Sequence, residues 1–295
     1  MCVIIARHFD THGWVAVKNR DRNYTPEISF NRYHDKDTGI ERLLFEDDVT
    51  QYCEGINSQG VAILSASLMV QDDEKEVTKS AKEKSPDGER IRRALLKATA
   101  FDAARECARL GLTGNSVILD RKELYLLESC KNRAGRYRYD LRKIPTDQTV
   151  ARTNHGVWLP WAGYQRGIDE NQDLSRISSE ARRVQAEIVV ETARTPEDMI
   201  DGLCKIMVDN PQLNVMRTST ERKKMRTTAQ EMVIPWENTL FVRPVASHMT
   251  FDFWKLNQAD ADTWVEILSN RALYKDIRPE QEPPFAEVNT THKVE

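Results

Sequence analysis

Apolar residues in this chain come in short runs broken by polar turns, with two longer stretches of helical spacing between them. The first run, Cys2-Val3-Ile4-Ile5-Ala6, predicts a buried strand over Cys2–His8. The turn Thr11-His12-Gly13 leads to a second strand, Trp14–Lys18, and the two form a hairpin followed by a polar segment, Asn19–Thr25. Val49–Glu54 and Val61–Met69 form another hairpin around Gly55-Ile56-Asn57-Ser58-Gln59-Gly60, and the unbroken Val61-Ala62-Ile63-Leu64 predicts burial on both faces. Gln71–Arg90 is the most polar stretch and reads as a long surface loop.

Ile91–Leu110 carries the spacing of a helix. Val117–Leu119 and Leu124–Leu127 flank Asp120-Arg121-Lys122 as a hairpin, and Thr149–Arg152 reads as a strand. Leu174–Ala193 predicts a charged amphipathic helix. A further helix opens with Thr195 as N-cap, Pro196 in the first position and Asp198 closing a capping box, and is expected to end near Asp209-Asn210-Pro211. Met225–Val233 and Thr239–Pro244 form a late hairpin through Pro235-Trp236-Glu237-Asn238, and Trp254–Leu256 extends the sheet. Asp276–Glu295 is rich in proline and charge and reads as a loosely ordered tail. Hairpins alternate with helices without strict βαβ order, which predicts an α+β protein of antiparallel sheets covered by helices.

Composition narrows the function classes. With 43 Lys and Arg against 46 Asp and Glu in 295 residues, the net charge is −3, and no basic excess points to nucleic acid. No uncharged apolar run approaches membrane-spanning length, and the charged Arg7, His8 and Asp10 argue against a signal peptide. The five cysteines include no close-spaced pair, so no zinc knuckle or disulfide framework is expected and a cytoplasmic location fits.

The position of Cys2 carries the candidate chemistry. Loss of Met1 would give one residue both a thiol and an α-amine, and a nucleophile paired with its own terminal amine is a route to covalent catalysis. A buried, inert cysteine is the alternative. The cluster Lys18-Asn19-Arg20-Asp21-Arg22-Asn23 follows the second strand, which would run beside the first. Asp21 could accept a hydrogen bond from the amine, and Lys18 or Arg20 could favour the thiolate. A plain charged turn is the competing reading.

Met1-Cys2 followed by Lys18-Asn19-Arg20-Asp21 resembles the choloylglycine hydrolase and penicillin acyltransferase-like branch of the N-terminal nucleophile (Ntn) hydrolases, and Asn19-Arg20-Asp21 is also similar to the signature of the NRDE group. Glu54–Ala62, Gly114–Asp120 with Glu128, Arg152-Thr153-Asn154-His155 and Met225-Arg226-Thr227-Thr228 resemble further motifs of that branch in the same order, so the resemblance spans roughly residues 2–250. It implies a four-layer αββα sandwich over residues 1–270, with 271–295 as the tail. It also implies Cys2 as nucleophile, Asp21 orienting its amine, Asn154 as an oxyanion donor, and Arg226 as the late active-site arginine, with Arg217 competing for that place. Lys18 falls where the bile-salt enzymes place arginine, which keeps the charge and loses the planar fork. Ser67 falls where a second oxyanion asparagine is expected. His155 and Trp158 are substrate-contacting candidates beside Asn154.

The implied activity is hydrolysis or acyl transfer at a linear carboxamide through a thioester, without metal or organic cofactor. The implied partner is a small amide, with no nucleic acid and no membrane, and a homo-oligomer is compatible. The second reading, supported by the NRDE-like similarity and the changes at Lys18 and Ser67, is a catalytically weak or inactive Ntn-fold protein that binds a small hydrophobic ligand or partner.

Overall fold

The computed structural model describes residues 2–24, 26–68, 85–132, 134–218, 224–244, 254–257 and 274–277. Two sheets lie face to face. The first has the order β10(Val150–Arg152), β1(Cys2–Phe9), β2(Gly13–Arg22), β11(Arg226–Ile234), β12(Thr239–Pro244), β13(Trp254–Asn257). The second runs β14(Tyr274–Ile277), β3(Ile28–His34), β4(Glu41–Asp47), β5(Tyr52–Asn57), β6(Ala62–Ala66), β7(Gly114–Leu119), β8(Leu124–Lys131), β9(Tyr137–Ile144). Among the described residues the strand pairs are antiparallel except β14 with β3, which is parallel.

Three apolar layers fill the gaps. Cys2, Ile4, Ala6, Trp14 and Ala16 face Phe45, Ile56, Leu64, Val117 and Leu126 between the sheets. Their alternating neighbours Val3, Ile5, Val15 and Val17 pack beneath α3(Glu170–Thr192) and α4(Pro196–Gly202). On the far side Leu44, Ile63, Ile118 and Leu127 pack against α1(Pro86–Ala94) and α2(Ala100–Leu110). Strands buried on both faces carry apolar residues at consecutive positions, which is why β1 reads as an unbroken run. The result is a four-layer αββα sandwich, as expected from the sequence.

Several local expectations change. The polar segment after Trp14–Lys18 is not a turn: β2 continues to Arg22, and Lys18, Asn19, Arg20 and Asp21 are fully buried. Strands β3, β4 and β9 were not anticipated. The polar stretch Gln71–Arg90 ends in helix, since α1 starts at Pro86, and the helix predicted over Ile91–Leu110 is two helices. The Thr195 capping box forms, yet α4 stops at Gly202, well before Asn210. Trp254–Leu256 lies in β13, and Tyr274–Ile277 forms β14. Most of the tail, and residues 69–84 of the expected loop, lie outside the described residues.

Candidate active site

Cys2 heads β1 and is held on both sides. Its register partner on β2 is Arg20, and β10 flanks β1 on the other edge. Residues directly opposed in an antiparallel pair share a face. Cys2, Lys18, Arg20 and Arg22 therefore point between the sheets, and Asn19 and Asp21 point toward α3 and α4.

The thiol meets positive charge. Arg22 Nη1 donates to Cys2 Sγ at 3.6 Å and to the Asp21 carbonyl at 2.8 Å. Burial pushes the thiol up, but Lys18 and Arg22 are among the charges that pull it down, and the balance lowers it from 9.0 to about 7. A thiol at that value is about half ionised at neutral pH. The buried thiols of Cys53 and Cys107, by contrast, are pushed far up, chiefly by burial. Arg20 is turned away from the sulfur: its guanidinium stacks 4.8 Å from the Phe45 ring and pairs with Asp47 at 3.3 Å. Lys18 forms a fully buried ion pair with Glu54, and its Nζ lies 5.5 Å from the Tyr52 ring.

The backbone nitrogen of Cys2 donates to Asn154 Oδ1 at 2.9 Å. Arg182 Nη2 donates to the same oxygen at 3.2 Å, which fixes the orientation of the amide. Asn154 Nδ2 donates to the Ser67 carbonyl at 2.8 Å. Ser67 is exposed, and it meets Asn154 through its backbone rather than its hydroxyl. Asn154 sits on a clamped segment. Asn115 Nδ2 donates to the carbonyls of Thr153 and His155, and the Glu128 carboxylate accepts the backbone N–H groups of Val157, Trp158 and Leu159. Gly156 lets this turn close, since a Cβ there would meet the Leu159 carbonyl oxygen at 1.9 Å.

On the helix face of β2, Asp21 accepts from Thr227 Oγ1 at 2.9 Å and lies 3.6 Å from Arg217 Nε and 3.7 Å from Arg182 Nη1. Arg182 Nη1 also donates to the Cys2 carbonyl at 3.1 Å, so it ties Asp21, Cys2 and Asn154 together from α3. Burial and the neighbouring Arg217 lower the Arg182 guanidinium to about 9. Arg217, the competing arginine, is the one joined to Asp21. Arg226 opens β11 opposite Arg22 and so belongs to the inner face with Cys2.

His155 and Trp158 follow Asn154 in the chain. His155 is buried, with Nδ1 at 2.8 Å from Ser179 Oγ and 3.1 Å from Thr153 Oγ1. Burial, helped by Arg176 and Arg183, lowers it to about 3, so it is a neutral ring. Trp158 packs against the inter-sheet core with the guanidinium groups of Arg142 and Arg152 at 4.2 and 4.8 Å from its ring.

Arg22 at the sulfur and Arg182 behind Asn154 were missed as site residues. Arg182 had a signal: it falls inside the stripe Ser178, Ser179, Gln185, Ala186, Val189 that α3 buries, where a charge needs partners. Arg22 had none, because its nearness to Cys2 depends on β2 running past Lys18.

No family profile and no curated protein matches the chain. Solved structures do. Penicillin V acylase from Agrobacterium tumefaciens matches over 89% of this chain and 88% of its own, at 10% identity and a TM-score of 0.51. A mutant of conjugated bile acid hydrolase from Clostridium perfringens matches over 88% and 93%, at 10% identity and a TM-score of 0.47. The layer order and the likeness to the acylase define the fold as that of the Ntn hydrolases.

Proposed function

We propose that the protein is an N-terminal cysteine amidohydrolase or acyltransferase acting on a linear carboxamide. The observation that carries this reading is the placement of the Cys2 thiol at the head of β1 with Arg22 Nη1 3.6 Å from the sulfur, where positive charge lowers the thiol toward ionisation. Removal of Met1 turns the Cys2 nitrogen, already hydrogen-bonded to Asn154 Oδ1, into the α-amine.

The steps then balance on this chain's own groups. The thiolate attacks the amide carbon and the carbonyl oxygen takes up negative charge. Asn154 Nδ2 carries two hydrogens: one serves the Ser67 carbonyl, and the second serves the developing oxyanion. The Cys2 ammonium gives a proton to the leaving nitrogen as the C–N bond breaks, leaving a thioester and a free amine. Water, deprotonated by that α-amine, attacks the thioester and restores the thiol; an acceptor amine in its place gives acyl transfer. Asp21 acts through Arg182, which it pairs with and which holds both the Cys2 carbonyl and Asn154. Among the described helices none is long and apolar enough to cross a membrane. Five free cysteines fit a reducing cytoplasm.

Intact mass followed by electrophile labelling tests the reading. The expected result is loss of Met1, a label on Cys2 that Cys2→Ala abolishes, and a substrate-derived acyl group released by hydroxylamine. Retention of Met1, or equal turnover by Cys2→Ala, refutes it and leaves a ligand-binding protein on the same scaffold.

A further inference from the structure

Behind Cys2, between the sheets, three ionisable side chains share one buried spot. Glu231 on β11 is the register partner of Lys18 on β2, so both project from the same face, and Lys18 pairs across the gap with Glu54 of β5. All three are fully buried. Glu54 is well supplied with donors: besides Lys18, the Ser65 backbone N–H donates to its Oε1 at 2.5 Å. Glu231 is not. Neither of its carboxyl oxygens has a donor among the described residues, and the side chain it meets is the carboxyl of Glu54.

Two acceptors in contact form a bond only when one carries a proton, and two buried carboxylates side by side cannot both ionise cheaply. We infer that Glu231 holds a proton and donates it to Glu54, and that this carboxyl pair positions Lys18 and sets how far its charge acts on the Cys2 thiol. Glu231 is the member that keeps the proton because Glu54 has the lysine and the backbone donor. Burial and then Glu54 raise Glu231 to about 8, against the opposing pull of Lys18 and Arg20. The other groups facing the pair are Tyr52, whose hydroxyl lies 3.5 Å from Glu54, Arg20, already paired with Asp47, and Val242, the apolar β12 partner of Glu231.

At neutral pH the cluster is one lysine cation, one carboxylate and one neutral acid. When Glu231 ionises, a second negative charge falls on Lys18, its pull on the sulfur weakens, and the thiol becomes harder to ionise. Glu231 is thus a positioning residue whose protonation opposes loss of thiolate character. The consequence for catalysis rests on the nucleophile reading above; the effect on the thiol does not.

The test is the pH dependence of Cys2 alkylation by iodoacetamide, followed by peptide mass, in wild type and Glu231→Gln, with infrared detection of the carbonyl stretch of a protonated carboxylic acid. We expect that band in wild type at pH 7 and its loss in E231Q. The two alkylation curves should coincide below about pH 6, where Glu231 is protonated anyway. Above neutrality E231Q should titrate as a single proton, its midpoint lower by about half a unit, while wild type is spread to higher pH. Absence of the band, superimposed curves, or a displacement equal at every pH overturns the inference. Should E231Q fail to fold, the band is followed in Cys2→Ala. Loss of the thiolate should move its midpoint to lower pH, and an unmoved midpoint overturns the inference. Failure of the catalytic reading looks different: Met1 is retained or C2A keeps turnover, with the thiol titration intact.

Discussion

Replacing Arg22 with Gln removes the guanidinium that hydrogen-bonds the sulfur while keeping an amide donor. The guanidinium Nη1 lies 3.6 Å from Sγ. At that separation two unit charges interact by about 1 kcal/mol in water and about 5 kcal/mol at an effective dielectric near 20. One pKa unit is about 1.4 kcal/mol, so the thiol should rise by about one to three units. Starting from about 7, it returns toward its ordinary 9.0. At pH 7 the thiolate fraction then falls from about one half to about a tenth or less. The alkylation rate falls less, about three- to fourfold per unit, because a more basic thiolate is intrinsically more nucleophilic. The midpoint of the pH–rate curve is therefore the quantity to read, by iodoacetamide kinetics with peptide mapping. Cys130, pushed by burial to about 11, serves as an unreactive internal reference. A Cys2 midpoint within about 0.3 unit of wild type, in a folded R22Q protein, refutes this account of how the thiol is activated.

Arg182→Met should cost about 3–5 kcal/mol in urea unfolding, because it strips a fully buried cation from Asp21, the Cys2 carbonyl and Asn154 while leaving the Asp21 charge behind; a loss under about 1 kcal/mol would mean that the remaining cation, Arg217, satisfies Asp21 alone. His155 governs an acid limb. Its folded value of about 3 lies below the ordinary 6.5, so the unfolded chain binds the extra proton. The stability His155 contributes is fully present above about 6.5 and is lost as pH falls toward 3. His155→Gln should flatten the fall of Tm across that window, and an equally steep fall in the variant would show that other groups carry it.

The strand core and its terminal cysteine were legible because each is written in adjacent residues. Cys2–Ala6 has no polar position, which only a strand covered on both faces tolerates, and the Thr195 box closes within one turn of chain. The polar run after Lys18 was harder. Lys18, Arg20 and Arg22 alternate with Asn19 and Asp21 at the period of a strand, yet such a run reads as a solvated turn unless partners are known to meet it. Those partners are Glu54, Asp47, Arg182 and Arg217, between 27 and 196 residues away in sequence, and no local pattern places them.

What the sequence determined by itself was the order of elements, the αββα class through its resemblance, and the candidacy of Cys2, Asp21 and Asn154. The tertiary structure alone decided that Arg22 meets the sulfur, that Lys18 pairs with Glu54 while still acting on the thiol, and that Glu231 sits beside that pair with no donor among the described residues. The reason is physical. Hydrophobic periodicity is a short-range signal, fixed by how side chains alternate along a strand or helix. The charge state of a buried group depends on distances across the gap between two sheets, and those exist only once the sheets have packed.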